Sequence, residues 1–376
     1  MQTPKTIPVF KPLLEAAEFD ACRLALENGW LGMGSFVGDF ERAIADSIGT
    51  DRHVVAVSTG HAALHLSLLM MGVGPGDEVI TPSFNNIADL QAIRATGAEP
   101  VFCDIDPHTC CIDPDSAESL VSPRTKVIIA MDYAFHFCDH QRISEIANRH
   151  RLRVLHDAAH SFGSSCNGKK IGSFSDVTIF SFDPVKTITT IDGGAIVVRT
   201  AEEASWLREA RLIGMGQPAE VMYQDQRAWT YDVQRLGFRY HMANLHAALG
   251  LSQIKKLELI GTSRRQVCAR YDHEFSNIPG LETPGAVRPD AIPFIYYVRV
   301  PEEKRQAFRD HLHDCGVDTG IHWQPGHWFT YFRNCRKGCL DVTEKIGREI
   351  VTLPLHSMMA PDSVTQVLRS VKTFFA

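Results

Sequence analysis

The chain has 376 residues, of which 44% are hydrophobic and 22% are charged, with a formal net charge of −6 at pH 7. This composition is that of an ordinary globular protein, so it excludes an intrinsically disordered or fibrous chain. The acidic balance and the lack of a long basic run argue against nucleic acid or an anionic membrane as the main partner.

Between residues 52 and 200, short apolar runs alternate with helical patterns. This alternation predicts a mostly parallel, doubly wound sheet with helices on both faces. The predicted helical segments are Gly60–Met70, Ala88–Thr96 and Ser144–His150. The predicted strands are Val54–Val57, Glu78–Thr81, Pro100–Asp104, Lys126–Met131, Arg153–His156, Val177–Ser181 and Ala195–Arg199.

The C-terminal third has a different pattern. A long helical stretch, Met242–Ser276, with a predicted break near Gly261, leads into two apolar runs and two further helices. The runs are Phe294–Val300 and Ile350–Leu355, and the helices are Glu302–Cys315 and Asp362–Phe375. We therefore predict a large α/β domain over residues 1–250 and a small α+β domain over residues 251–376.

The location of the protein is predicted from its termini, apolar segments and cysteines. The first residues, MQTPKTIPVF, lack the pattern of a signal peptide, and no apolar run approaches the ~18 residues that span a bilayer. The ten cysteines are scattered without paired zinc-site spacing, so we expect neither disulfides nor a structural metal. These features predict a cytoplasmic protein that does not bind a membrane.

Chemically distinctive residues follow three of the predicted strands, where ligands collect in an open parallel sheet. Gly60 lies in a small-residue turn that opens a helix, a suitable seat for phosphate. Asp157 ends a buried strand, and Lys186 follows the strand that ends at Ser181. Each feature alone also has an ordinary reading, as a helix cap, a turn aspartate or a surface lysine.

Together, these three features match what pyridoxal phosphate requires of a protein. The lysine forms a Schiff base with the aldehyde, the carboxylate keeps the pyridine nitrogen protonated, and the helix terminus holds the phosphate. No GxGxxG or P-loop pattern supports a nucleotide cofactor instead. A plain binding protein without a cofactor is the alternative, and it requires Lys186 to be exposed to solvent.

Motifs along nearly the whole chain resemble the DegT/StrS nucleotide-sugar aminotransferases, which are fold type I pyridoxal-phosphate enzymes. The stretches that carry the resemblance are GWLGMGSFVGDFE, GPGDEVITPSF, VFCDIDP, PRTKVII, HDAAHSFGS, NGKKIGSFSD, the lysine stretch FSFDPVKTITT, GFRYHMANLHAALGLSQI, GIHWQPGH and LPLH. Their conserved order over more than 300 residues makes a chance similarity improbable.

The resemblance implies a role for individual residues. Lys186 is expected to be the Schiff-base lysine and proton shuttle, Asp157 the partner of the ring nitrogen, and His160 a third catalytic residue beside the ring. Ser181 and the backbone near Gly60 are expected to bind the phosphate. The same resemblance implies that the substrate is bound by Trp30, Leu31, His322 and His327.

The resemblance also implies a homodimer whose active sites lie at the subunit interface, with the segment around Arg239 reaching the neighbour's cofactor. Three of the implied cofactor-binding positions depart from the family pattern. His61 replaces a common threonine, Asn86 replaces an aromatic residue that stacks on the cofactor, and Arg239 replaces an asparagine. These departures leave the chemistry of Lys186 and Asp157 in place and affect the choice of substrate.

The implied activity is transfer of an amino group from L-glutamate to a keto nucleotide sugar. The stretch Gly237–Ile254 resembles that of enzymes acting at C4 of 4-keto-6-deoxy sugars more than that of C3 enzymes. The product would be an amino sugar for a surface polysaccharide or a glycosylated metabolite. Three alternatives remain open: amination at C3, action on a non-sugar ketone, and a regulatory role with bound cofactor.

Overall fold

The computed structural model describes residues 6–216 and 219–376. Its helices are α1 (Ala16–Asn28), α2 (Ser35–Ile48), α3 (Gly60–Met70), α4 (Ile87–Ala95), α5 (Pro114–Ser119), α6 (His140–His150), α7 (Ala201–Ala210), α8 (Ala219–Met222), α9 (Asn244–Ile254), α10 (Leu257–Phe275), α11 (Glu302–Asp314), α12 (Asp341–Glu349) and α13 (Pro361–Phe375), with a short 3₁₀ helix at Gly326–Trp328. Its strands are β1 (His53–Val57), β2 (Glu78–Pro82), β3 (Glu99–Cys103), β4 (Thr125–Met131), β5 (Arg153–Asp157), β6 (Ser165–Cys166), β7 (Lys169–Lys170), β8 (Val177–Ser181), β9 (Gly194–Val198), β10 (Tyr296–Arg299) and β11 (Ile350–Leu353).

The predicted strands between residues 52 and 200 form one seven-stranded sheet within the described part of the chain. Its order is β1-β9-β8-β5-β4-β2-β3, and β9 runs antiparallel to both of its neighbours while the other pairs are parallel. The prediction of a mostly parallel sheet is therefore confirmed.

Both faces of this sheet are buried, which explains why its strands are almost uniformly apolar. In β1, Val54 and Ala56 pack into one hydrophobic cluster with α2 and α9, whereas Val55 and Val57 pack into another with α3 and α7. Successive side chains of a strand point to opposite faces, so each strand has to supply apolar residues to both clusters. The sheet is thus doubly wound, as predicted.

The C-terminal part contains a smaller antiparallel pair, β10 and β11, packed with α10, α11 and α13. The start of the chain also reaches this region, because Ile7 forms a bridge with Val317. The domain limits at residues 250 and 251 stay a prediction. None of the described helices is both long and apolar enough to cross a membrane.

One local prediction was wrong: the long helical stretch is not broken near Gly261. The break falls at Lys255 and Lys256, between α9 and α10, and Gly261 lies buried inside α10. A Cβ at position 261 would lie 3.2 Å from Ile292 Cγ1, so this glycine allows a close approach of Ile292 instead of ending the helix.

Candidate active site

A cavity of about 450 Å³ lies at the carboxyl ends of the parallel strands. Asp157, the last residue of β5, and Lys186, which follows β8, both line it. Because β5 and β8 are neighbouring strands with Asp157 opposite Ile179, the sheet itself brings the carboxylate and the amine to one place. This is the juxtaposition that the sequence predicted.

The Lys186 side chain is only 9% exposed, and its Nζ lies 4.5 Å from the centroid of the Phe294 ring. Burial lowers the pKa of Lys186, against the opposing effect of Asp157, Asp183 and Asp89. A larger share of the lysine is therefore in the neutral amine form, which is the nucleophilic and proton-accepting form. The solvent-exposed lysine required of a plain binding protein is not what the structure shows.

Asp157 is buried, and its Oδ1 accepts a hydrogen bond from the Ala159 N–H at 2.9 Å. Burial raises the pKa of Asp157, while the Ala159 N–H and Lys186 act in the opposite direction. The backbone bond fixes the orientation of the carboxyl group at the edge of the cavity. The group can thus face a protonated ring nitrogen.

The start of α3 and Ser181 form a second wall of the cavity. Thr59 caps the helix, because its Oγ1 accepts from the Ala62 N–H at 2.9 Å. The backbone at Gly60 packs closely against Ser181, which leaves no room for a side chain at position 60. A hydroxyl group beside the positive end of a helix suits a phosphate group.

His160 is buried beside the cavity, and its ring is tilted against Phe294 with centroids 4.3 Å apart. Its Nδ1 accepts a hydrogen bond from the Ala134 N–H at 3.3 Å. Burial, with a further contribution from Lys186, lowers the pKa of His160 well below its ordinary value. The imidazole is therefore neutral, with its remaining proton on Nε2, and can lie against an aromatic ring without adding charge.

His61 and Asn86 also line the cavity, and the backbone engages one polar atom of each side chain. His61 Nδ1 donates to the Ala88 carbonyl oxygen at 3.2 Å, and Asn86 Oδ1 accepts from the Ala88 N–H at 2.9 Å as the cap of α4. Neither residue supplies the aromatic face that the family usually places at position 86. Apolar and aromatic contact with a ring can come from His160 and Phe294 instead.

The structure separates the residues predicted to bind substrate. His322 lines the cavity of Lys186, whereas Trp30 and Leu31 line a different cavity of about 570 Å³. His327 is not among the lining residues: its Nδ1 accepts from Ser83 Oγ at 2.7 Å and its Nε2 donates to Glu344 at 3.2 Å. Arg239 is exposed and also lies outside the lining of the Lys186 cavity.

Among the cavity side chains that sequence reasoning did not predict are Asp89, Phe294 and Trp323. Asp89 lies in the first turn of α4, directly after strand β2, and this position at a strand end was the available signal. Phe294 and Trp323 come from the C-terminal part, and no local pattern indicates that they contact the sheet. Only the packing of the chain brings them to the site.

Behind the cavity, the buried Asp132 accepts hydrogen bonds from two histidines. His156 Nε2 donates at 2.8 Å and His140 Nε2 at 3.1 Å, and the Ser161 hydroxyl donates at 2.7 Å. The three side chains Asp132, His140 and His156 are close enough together to hold a metal ion. Since the carboxylate already receives these donors, the cluster is fully explained as a hydrogen-bond network under β5.

The residues present fit pyridoxal phosphate. The cavity contains a lysine with a lowered pKa and a carboxyl group in a fixed orientation. It also contains a helix N-terminus beside the Ser181 hydroxyl, with no room for a side chain at position 60. These are the three attachments that the cofactor needs, and they surround a single cavity.

Comparison with known proteins agrees with this geometry. The model of the DegT/DnrJ/EryC1/StrS aminotransferase family matches residues 12–372. The spore coat polysaccharide biosynthesis protein SpsC of Bacillus subtilis is 34% identical, over 97% of this chain and 96% of its own length.

Solved structures agree as well. The aminotransferase TlmJ from Streptoalloteichus hindustanus is 32% identical, covers 98% of both chains and superposes with a TM-score of 0.90. The PLP form of the putative sugar aminotransferase Spr1654 from Streptococcus pneumoniae is 26% identical, with 98% coverage of both chains and a TM-score of 0.90. The family resemblance found in the motifs is confirmed.

Proposed function

Because the chain belongs to the DegT/DnrJ/EryC1/StrS aminotransferase family, we propose that it transfers the amino group of L-glutamate to a keto nucleotide sugar, at C4 of a 4-keto-6-deoxy sugar. Pyridoxal phosphate is its cofactor. The observation that carries the proposal is the meeting of Lys186 and Asp157 in one cavity at the ends of adjacent strands.

When bound, pyridoxal phosphate supplies an electron sink for the carbon that exchanges a proton with the base. Lys186 provides the primary amine that this chemistry needs, and its lowered pKa makes the amine able to accept a proton at Nζ. The Phe294 ring beside Nζ and the low exposure of the side chain limit the access of water to this amine. Lys186 therefore takes the roles of nucleophile and proton carrier.

The other cavity residues bind and orient. Asp157, with Oδ1 fixed by the Ala159 N–H, presents its carboxyl group to the ring nitrogen. Ser181 and the backbone of the first turn of α3 hold the phosphate, while the neutral His160 packs against the ring. His322 forms part of the wall on the substrate side, and its Nδ1 is hydrogen-bonded to Thr352 Oγ1 at 2.9 Å.

The substrate assignment is supported by the relatives and by one motif. SpsC bears a name that places it in spore coat polysaccharide biosynthesis, and Spr1654 is titled a putative sugar aminotransferase. The Gly237–Ile254 stretch is more similar to that of enzymes acting at C4. This combination favours a keto sugar over a non-sugar ketone and C4 over C3.

We further propose a homodimer that works in the cytoplasm. The stretch that contains Arg239 also exposes large apolar side chains, among them Trp229 (88% exposed) and Leu236 (78%). Such a cluster on the surface is typical of an interface, and Trp30 and Leu31 share a cavity with Trp229. All ten cysteines are unpaired, as a reducing compartment favours.

The test is an amino-transfer assay with a panel of 4-keto and 3-keto nucleotide sugars, L-glutamate and the purified protein. We expect formation of 2-oxoglutarate that depends on a 4-keto-6-deoxy sugar. Faster turnover with 3-keto sugars would contradict the C4 assignment, and bound cofactor without any transfer would favour a regulatory protein.

A further inference from the structure

Asp89 is a buried carboxyl group that the function described so far does not use. It lines the cavity with Asp157, has no exposed surface, and neither of its oxygens has a hydrogen-bond donor among the described residues. One N–H of the nearby Asn85 amide is bound to Thr81 Oγ1 at 3.1 Å, and Asn85 opposes the rise in the pKa of Asp89 without offsetting it. An ionised carboxylate in such surroundings is strongly disfavoured, so the group needs a proton.

The helix that carries Asp89 does not require this side chain. Asn86 already caps α4 through the Ala88 N–H, and the Asn86 N–H is bound by Asn85 Oδ1 at 2.6 Å. Asp89 therefore forms no capping box, although it stands at the third helical position, where a Glu or Gln side chain can bind the N-cap N–H. Its carboxyl group is directed to the cavity instead.

Asp89 and Asp157 are both buried and line the same cavity, where a hydrogen bond between their carboxyl groups contributes to the raised pKa of Asp89. Burial and the charge of Asp157 both raise the pKa of Asp89. Two buried carboxyl groups in contact cannot both be ionised, so they share one proton and titrate as a pair. The other titratable groups that line the cavity are His61, His160, Asp183, Lys186, Asp192 and His322.

We propose that Asp89 is a positioning residue that holds a proton and donates it in a hydrogen bond to Asp157, so that a carboxylic acid–carboxylate pair of total charge −1 faces the cofactor ring. The inference rests on the proposed function, since the cofactor gives the pair its purpose. The Ala159 N–H and the Asp89 hydroxyl group then fix Asp157 from two sides. The acid also limits how strongly Asp157 attracts the proton of the ring nitrogen.

The first measurement locates the proton and needs no cofactor. Infrared spectra of the full chain at pH 7 are compared for wild type, Asp89→Asn and the exposed control Asp314→Asn. We expect Asp89→Asn to lose a C=O band of a protonated carboxyl group, and Asp314→Asn to keep it. Loss of carboxylate bands only would mean that Asp89 is ionised and would overturn the proposal.

The second measurement is the affinity for pyridoxal phosphate, together with the pH dependence of the visible absorbance of the loaded protein. Asn at position 89 can still donate to Asp157, so Asp89→Asn should bind within about 3-fold of wild type, whereas Asp89→Ala should bind roughly 10-fold to 100-fold more weakly. In the wild type, loss of the proton that Asp89 and Asp157 share should change the absorbance of the cofactor at high pH. This change should be absent in Asp89→Asn.

Equal affinity of the Asn and Ala variants would overturn the role of Asp89. Failure of the wild-type chain to bind pyridoxal phosphate would instead overturn the proposed function. The two failures are distinguishable, because the infrared measurement reads the proton of the pair in the absence of cofactor.

Discussion

Gly60 and Ser181 are so closely packed that a Cβ atom added at position 60 would lie 2.8 Å from Ser181 Oγ. Gly60→Ala should therefore displace the hydroxyl group from the predicted phosphate seat. We expect cofactor affinity to fall at least about 10-fold and the free energy of unfolding by about 1–3 kcal/mol, measured by cofactor titration and denaturant unfolding. Gly74 has no atom within 4 Å of its added Cβ, so Gly74→Ala should leave the affinity unchanged.

Lys186 is expected to carry the covalent and proton-transfer chemistry. Lys186→Ala should lower kcat by roughly 10²–10⁴-fold or more, because a positioned base is lost, while the protein stays folded. Borohydride reduction followed by mass spectrometry should label Lys186 in the wild type. The exposed Lys304 provides the control, and a label there, or on another side chain, would contradict the site.

Arg211 is a fully buried cation held by Glu41 and by the Ala56 carbonyl oxygen, at 2.6 and 2.5 Å. The Tyr223 hydroxyl completes the network, 2.8 Å from Arg211 Nη2. Arg211→Met would remove the cationic partner of the buried Glu41 and leave only the Ala56 N–H and the Tyr223 hydroxyl as its donors, so the free energy of unfolding should drop by about 3–5 kcal/mol. Denaturant unfolding of Arg23→Met, which removes only the two exposed ion pairs with Asp20 and Glu27, should show a loss of less than about 0.5 kcal/mol.

His356 gives a pH-dependent contribution to stability. Burial and the nearby charges of Arg264 and Lys11 lower its pKa to about 4. Because the unfolded chain binds a proton near pH 6.5 and the folded chain does not, this histidine destabilises the fold as pH falls from about 6.5 towards 4. Between about pH 6.5 and pH 4, the free energy of unfolding of His356→Leu should depend less steeply on pH than that of the wild type. The two slopes should differ by at most about 1.4 kcal/mol per pH unit.

The comparison is made by chemical denaturation at several pH values. Above pH 7, where the histidine is neutral in both states, the two proteins should show parallel curves. Equal slopes below pH 6 would mean that His356 is protonated in the folded protein.

The exposed apolar cluster predicts the oligomeric state. The double variant Trp229→Ser, Leu236→Ser should convert a dimer into a monomer, measured by light scattering, because it removes two large apolar side chains from the proposed interface. Leu259 is also exposed, at 57%, but on α10, and Leu259→Ser serves as the control. A wild-type monomer at micromolar concentration would refute the proposed dimer.

The positions of Lys186 and Asp157 were predictable, because Asp157 ends one apolar run and Lys186 lies in the loop after another, and both runs could only be buried strands. Parallel strands end at the same edge of a sheet, which predicted that both groups lie at that edge, whereas the pairing of β5 with β8 placed them side by side. The break near Gly261 was predicted wrongly because a glycine in a helical pattern can either end the helix or allow another side chain to pack closely against it. Which use applies depends on Ile292, 31 positions away in the sequence but adjacent in space.

The amino-acid sequence by itself determined the order of the strands along the chain, the family, and the amine and carboxyl groups of the site. These features depend on periodicity and residue type, which are read locally along the chain. The tertiary structure alone decided that Asp89 lines the same cavity as Asp157, that Phe294 covers Lys186, and that His327 is bound to Ser83 and Glu344 away from the cavity. These contacts join segments far apart in sequence. They are set by how the helices and the C-terminal part pack on the sheet, which no local pattern encodes.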